Sequence, residues 1–293
     1  MLAIGFVLSL SLQEVPRWKL VPGETLRYQV VREQSLDCAG TGFHRSGRMT
    51  VTETLSVSIV RVEGDVTEAV LKLEACKGTF DDQQENELDE RYDSEHANEE
   101  EDAGQFGDWA EQIGTTRRVR LSADGSCTFL DAPDDEDAAR WETPAWKLVF
   151  PAALHFEEGS PAKSTQPLQP LFAIEHGLFP WPMNAALELR ATTVDRFHGQ
   201  ECQTYELAPR IALATDDPEF QDAAAHGVTC EPATGKGRLA FARDGALAWL
   251  EIEGTNEVHF APAEDEPGGA GGVFKIENKL RIELVERTAP RAK

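Results

Sequence analysis

The chain has 293 residues, 41% hydrophobic and 27% charged, long enough for one large β domain or two smaller lobes with a real core. Its 52 acidic residues outweigh 28 basic ones, a formal charge of -24. That surface repels phosphate backbones and anionic lipid headgroups, which excludes nucleic acid as a partner and disfavours acidic membranes; cationic partners and divalent ions stay open.

The chain begins with an apolar run from Leu2 to Leu12. A helical membrane span needs about 20 apolar residues, so this run is too short to be one. It suits the central region of an export signal, with Ser9 and Ser11 as small residues before a cut, although no Lys or Arg precedes it. Residues 1–12 are therefore expected to be a signal segment and the protein exported, to the periplasm, cell envelope or exterior. No other segment reads as a membrane-spanning helix.

Strand signals follow. Leu26, Tyr28 and Val30 alternate with Arg27, Gln29 and Val31. Met49, Val51, Leu55, Val57 and Ile59 then share one parity against Thr50, Thr52, Thr54, Ser56 and Ser58, the period of a half-buried strand. The phase slips at Val60 and Val62, which predicts a β-bulge. A turn at 63–65 leads back through Ala69, Leu71, Leu73 and Ala75.

Residues 77–115 break this pattern. Between Asp81 and Asp102 lie 12 acidic residues and one Arg, a net charge of -11. Such a run resists burial and predicts a disordered or mobile acidic insertion, with weak divalent-cation binding as its one chemical prospect. A short helix around 104–114 would present Phe106, Trp109 and Ile113 on one face.

Alternation resumes at Val119 and Leu121. Asp124-Gly125 offers the positive φ angles of a tight type I′ turn, and Cys127 and Phe129 return. A helix is expected over 134–150, broken at Pro144. Residues 157–170 are turn-forming and read as a junction between a first half (20–156) and a second (171–287). The second half repeats the order. Leu187, Leu189 and Ala191 lead to a turn at 198–200, Tyr205 and Leu207 return, and a polar insertion covers 210–235. Leu239 and Phe241 then run into Asp244-Gly245, with Leu247 and Trp249 coming back. A last strand carries Phe274, Ile276, Leu280, Ile282 and Leu284. The expectation is a mainly β, antiparallel protein with few short helices: two similar curved sheets or an open barrel, built from a duplicated hairpin unit.

The start of the chain, "LVPGETLRYQV" (20–30), the two Asp-Gly hairpins and "FHGQECQTYEL" (197–207) together resemble exported β-rich proteins of bacterial envelopes, over residues 20–287. A more distant resemblance is to the open, half-barrel lipoprotein carriers, which implies a sheet wrapped around an apolar cavity. Neither brings catalytic residues.

Chemistry-bearing motifs are lacking. There is no G-x-S-x-G, H-E-x-x-H, phosphate loop or dinucleotide fingerprint. At 131–142 a calcium loop fails, because Pro133 takes a ligand position and Glu136 replaces the required Gly. The seven histidines are scattered; His259 should face the polar side of a strand and His198 a turn. Asp195 and Glu201 flank that turn as a conceivable acid/base pair, though ordinary turn polarity accounts for them. Among the five cysteines, Cys127 reads as a core thiol. Cys38 with Cys76 and Cys202 with Cys230 are candidate disulfides, with buried thiols as the alternative.

The candidate binding residues are aromatic. Phe179, Trp181 and Met183 cluster between prolines and would plug one end of the fold or line the mouth of an apolar pocket; Trp249 is added from the returning strand. No cofactor or metal site is expected. The leading function is a non-catalytic exported envelope protein that binds an apolar ligand or an envelope protein partner. An envelope hydrolase with a carboxylate/His site from distant strands, and a structural or assembly protein, are the alternatives.

Overall fold

A computed structural model describes residues 19–40, 43–82, 88–96, 104–121, 127–130, 162–167, 183–213, 221, 224–225, 227–231, 233–261 and 271–290. The strands are β1 (Thr25–Gly40), β2 (Phe43–Glu63), β3 (Val66–Asp82), β4 (Leu88–Asp93), β5 (Thr116–Leu121), β6 (Cys127–Phe129) and β7 (Ala162–Pro167). They continue as β8 (Met183–Phe197), β9 (Gln200–Leu213), β10 (Val228–Cys230), β11 (Ala233–Thr234), β12 (Lys236–Ala242), β13 (Leu247–Phe260) and β14 (Gly272–Thr288). One short helix, α1 (Gly107–Gln112), follows a 3-10 turn at Gly104–Phe106.

All these strands join one antiparallel sheet in the order β6-β5-β3-β2-β1-β14-β13-β12-β9-β8-β7. Strand β4 extends the ladder beside β3, β10 beside β13 and β11 beside β9. The path stays open, so the mainly β, antiparallel expectation holds, as one unclosed sheet rather than two. Its middle is the β1–β14 ladder, where Thr25 lies opposite Thr288 and Gly40 opposite Gly272.

Period-two patterning decides the faces. Along β1 every second residue from Leu26 to Cys38 is buried, and along β14 every second residue from Ile276 to Leu284. The inward residues of both wings form one continuous core. Fully burying a Leu or Ile side chain contributes about 1.5–3 kcal/mol, so this face is the main source of cohesion. The slip foreseen at Val60 is real: the β2–β3 register shifts between Ile59 and Arg61, and Val60 turns outward.

Two expectations need correction. Much of the acidic stretch 77–115 is built structure: β3 runs through Asp82, β4 pairs along it, and Phe106 and Trp109 are buried, with Ile113 half-buried beside them. Charge density did not prevent this, because the ladder satisfies the backbone while Asp93 and Glu95 meet Lys77 at 3.1 and 2.7 Å. The second Asp-Gly hairpin, at Asp244-Gly245, does not use a type I′ turn. Gly245 alone takes a positive φ, its N–H bonds to the Ala242 carbonyl, and Ala246 accepts from Ala242. This is the longer hairpin turn with a glycine bulge.

The second correction concerns the cysteines. Cys38, Cys76, Cys202 and Cys230 are thiols. Cys76 lies level with Val30 through Glu53, so about 26 Å of strand separates it from Cys38. Cys202 is level with the start of β13 and Cys230 with Val258, about 36 Å along. A disulfide needs Cα atoms within about 7 Å. The expected helix at 134–150 and the Asp124-Gly125 turn lie outside the described residues, as does the Cys127 side chain. Within the segment read as a junction, Ala162–Pro167 is a strand paired with β8.

Candidate functional site

The inward face carries a polar patch at the β1–β14 seam. On β1 the buried parity runs Leu26, Tyr28, Val30 and then Arg32 and Gln34 before returning to Leu36. On β14 it runs Ile276, Asn278, Leu280. Register sets Gln34 opposite Asn278 and Arg32 opposite Leu280. Gln34 Nε2 donates to Asn278 Oδ1 at 3.0 Å.

Arg32 points its Nη2 to 2.7 Å from Glu53 Oε2 on β2, with side chains only 2% and 4% exposed. The approach is an ion contact rather than a directed hydrogen bond. Glu53 also accepts from Trp109 Nε1 at 2.9 Å, so α1 reaches through the fold to support the pair. The insertion can do so because Gly78 on β3 has no side chain: a Cβ there would lie 2.1 Å from the Phe106 ring. Phe106 in turn stacks on Tyr92 of β4, with centroids 5.9 Å apart.

The patch is incompletely satisfied. Arg32 Nε and Nη1, Gln34 Oε1 and Asn278 Nδ2 are buried with no hydrogen-bond partner. Leaving such an atom unmet costs about 1–3 kcal/mol, so their grouping in one part of the core calls for a reason. Burial also pushes the Tyr28 hydroxyl and the Cys76 thiol well above their ordinary pKa values, Cys76 with added repulsion from Glu53, so both stay protonated at neutral pH.

The opposite face holds a trough of about 640 Å³ across β2, β1, β14, β13 and the start of β12. Its charged lining is Glu33, Arg48, Lys236, Glu253, Glu277 and Lys279. Bases there face acids: Arg48 meets Glu33 at 2.9 Å, Lys236 meets Glu253 at 2.7 Å and Lys279 meets Glu251 at 3.1 Å. Hydrogen bonds to those glutamates raise the pKa values of Lys236 and Lys279.

The sequence-derived candidates fall elsewhere. Phe179 and Trp181 lie outside the described residues. Met183 opens β8 opposite Leu213, with its side chain outside the description. Trp249 sits on the outward face. The β12–β13 register shifts between Ala240 and Phe241, so Ala248 is an extra residue: Leu247 and Leu250 point inward and Trp249 outward. There it stacks with Phe197 (centroids 6.4 Å apart) beneath the Arg281 guanidinium. Asp195 and Glu201 do not act as a pair, since each meets its own arginine, Arg238 at 2.8 Å and Arg243 at 2.6 Å. His198 meets Glu283 at 2.9 Å and His259 faces outward, as its strand parity implied. No group of three metal-ligating side chains forms among the described residues, and no helix among them is long and apolar enough to cross a membrane.

Arg32, Gln34, Glu53 and Asn278 were missed by reading the sequence for apolar parity alone. The signal was present: each interrupts an apolar alternation on the buried parity, as in Met49-x-Val51-x-Glu53.

The fold and patch define an open, all-antiparallel β-sheet protein with a polar island on its apolar face. No family model matches the chain, and no curated protein does. Among solved structures it is similar to part of lipovitellin, in a structure described for its lipid–protein interactions. The TM-score is 0.50 at 12% identity, over 93% of this chain and 26% of that one. The likeness is one of fold, and this chain spans about a quarter of that protein's length. A Bacteroides fragilis protein described as exported, with a YmcC-like fold, aligns over 89% of this chain and 97% of its own, at 12% identity and a TM-score of 0.22.

Proposed function

We propose that the chain is a non-catalytic binding protein that holds an apolar ligand against the inward face of its open sheet, and that it works in the cell envelope or beyond. One observation carries this reading: a sheet that does not close, with one face apolar from Val119 on β5 to Leu189 on β8. An unclosed sheet can part at its edges to admit a ligand, whereas a closed barrel admits one only at its mouth. The fold likeness to a lipid-associated protein supports it, and the Leu2–Leu12 run supports export.

The test is native mass spectrometry of protein purified from its own host, followed by solvent extraction. A co-purifying apolar molecule is expected. A bare chain that also fails to take up an environment-sensitive apolar dye would overturn the reading. The protein-partner alternative has its own surface in the outward trough. Arg48→Glu with Lys279→Glu would abolish a partner docked there and leave dye uptake intact.

A further inference from the structure

We infer that the seam patch is a recognition site for the uncharged, oxygen-bearing head of an acyl lipid, an ester or amide carbonyl group, held by Arg32 and Asn278. The inference rests on the apolar-ligand reading and adds what the ligand must carry besides its chain.

Charge and hydrogen-bonding capacity are separable here. The Arg32 charge is already matched by Glu53 at 2.7 Å. Its Nε and Nη1 donors are not matched, nor is the Asn278 Nδ2 donor two register positions away. The arginine thus sets Nη2 against Glu53 and leaves Nε and Nη1, on separate sides of the guanidinium, as single unmet donors. Guanidinium and amide N–H groups suit carbonyl oxygens. A further anion would have no cation left to balance it, and burying an unbalanced charge is costly. The unmet Gln34 Oε1 adds one acceptor, which suits a head with a hydroxyl beside its ester. Apolar walls flank the patch: Val30 and Leu36 on β1, Ile276, Leu280 and Ile282 on β14, Met49 and Val51 on β2. All the polar side chains are more than nine-tenths buried, so whatever covers them provides no acceptor in place of water.

The experiment compares three probes of one chain length in a displacement assay with a fluorescent polyene ester: monoolein, oleate and octadecene. Monoolein is expected to compete at least about tenfold better than octadecene, the value of one or two hydrogen bonds, and better than oleate. Arg32→Lys keeps a cation for Glu53 but loses the Nε and Nη1 donors. It should remove the monoolein advantage and leave octadecene unchanged. Gln34→Leu with Asn278→Leu removes unmet polar groups. It should raise the melting temperature while weakening monoolein, a combination that a purely structural role would not give.

Equal competition by monoolein and octadecene, with Arg32→Lys silent, would overturn the head-group site and leave the apolar reading standing, with buried water as the partner of these groups. Stronger competition by oleate would overturn the uncharged-head assignment. Binding of none of the three would overturn the apolar reading itself.

Discussion

Arg32 and Glu53 meet 2.7 Å apart across neighbouring strands, both almost wholly out of water. Removing one partner strands the other's charge in the core, which costs about 3–5 kcal/mol. Glu53→Ala should therefore lower the urea midpoint sharply. Arg32→Met with Glu53→Leu should fold with stability near that of the parent, because neither charge is then buried. Equilibrium urea melts of the three proteins check this.

Gly78 gives a second handle on the same pair. Its bare Cα lets the Phe106 ring close on β3, and Trp109 follows to reach Glu53. Gly78→Val should expel Phe106, detach the helix and cost about 1–3 kcal/mol or more through overpacking. Near-ultraviolet circular dichroism and tryptophan emission should report a freed Trp109, while far-ultraviolet strand signal persists.

Acid should loosen the β3–β4 extension in a defined window. The backbone N–H of Glu95, with Lys77 and His96, pulls the Asp93 pKa down to about 2. A depressed carboxylate contributes stability above its unfolded pKa, about 3.9, and loses it as pH falls through the folded value. Protection of the β4 amides, relative to their intrinsic exchange rates, is expected to fall between pH 4 and 2. Asp93→Asn should already exchange faster at neutral pH and respond less to acid.

The thiols should differ in reactivity. Cys76 is fully buried and its pKa is raised, chiefly by burial, so little thiolate forms even at pH 9. Alkylation of native protein at pH 8 should leave Cys76 unmodified, and denatured protein should label it. Peptide mass spectrometry reads this directly, and non-reducing analysis should find no link between Cys38 and Cys76 or between Cys202 and Cys230.

The strand pattern was legible because period-two alternation follows from burial on one face. Met49 through Ile59, the Val60 slip and the Phe106–Trp109 face all follow from that rule. Trp249 was misread because a single extra residue, Ala248, reverses which side chains face inward, and no local composition marks it. The acidic insertion was misread because net charge ignores pairing: Lys77 is one residue, yet it engages both Asp93 and Glu95. The seam patch was visible only as interruptions in a pattern. Its meaning needed the register that sets Gln34 beside Asn278, 244 residues away.

Arg287 on β14 binds Glu24, just before β1, and Asp244 in the β12–β13 turn. Asp244→Ala should cost about 1–3 kcal/mol by leaving the half-buried guanidinium one partner short, as thermal melts would show.

The pairing of β1 with β14 inverts the usual relation between sequence and periphery. Among the described strands the outermost on the path, β6 and β7, come from the middle of the chain, while β1 and β14 lie at its centre. During synthesis the first wing must wait, with β1 exposed along one side, until more than 200 further residues have emerged and β14 arrives to join the wings. Loss of β14 would divide the described sheet into two rather than trim it, whereas loss of β6 or β7 would take away one outer strand and leave the other described ladders in place.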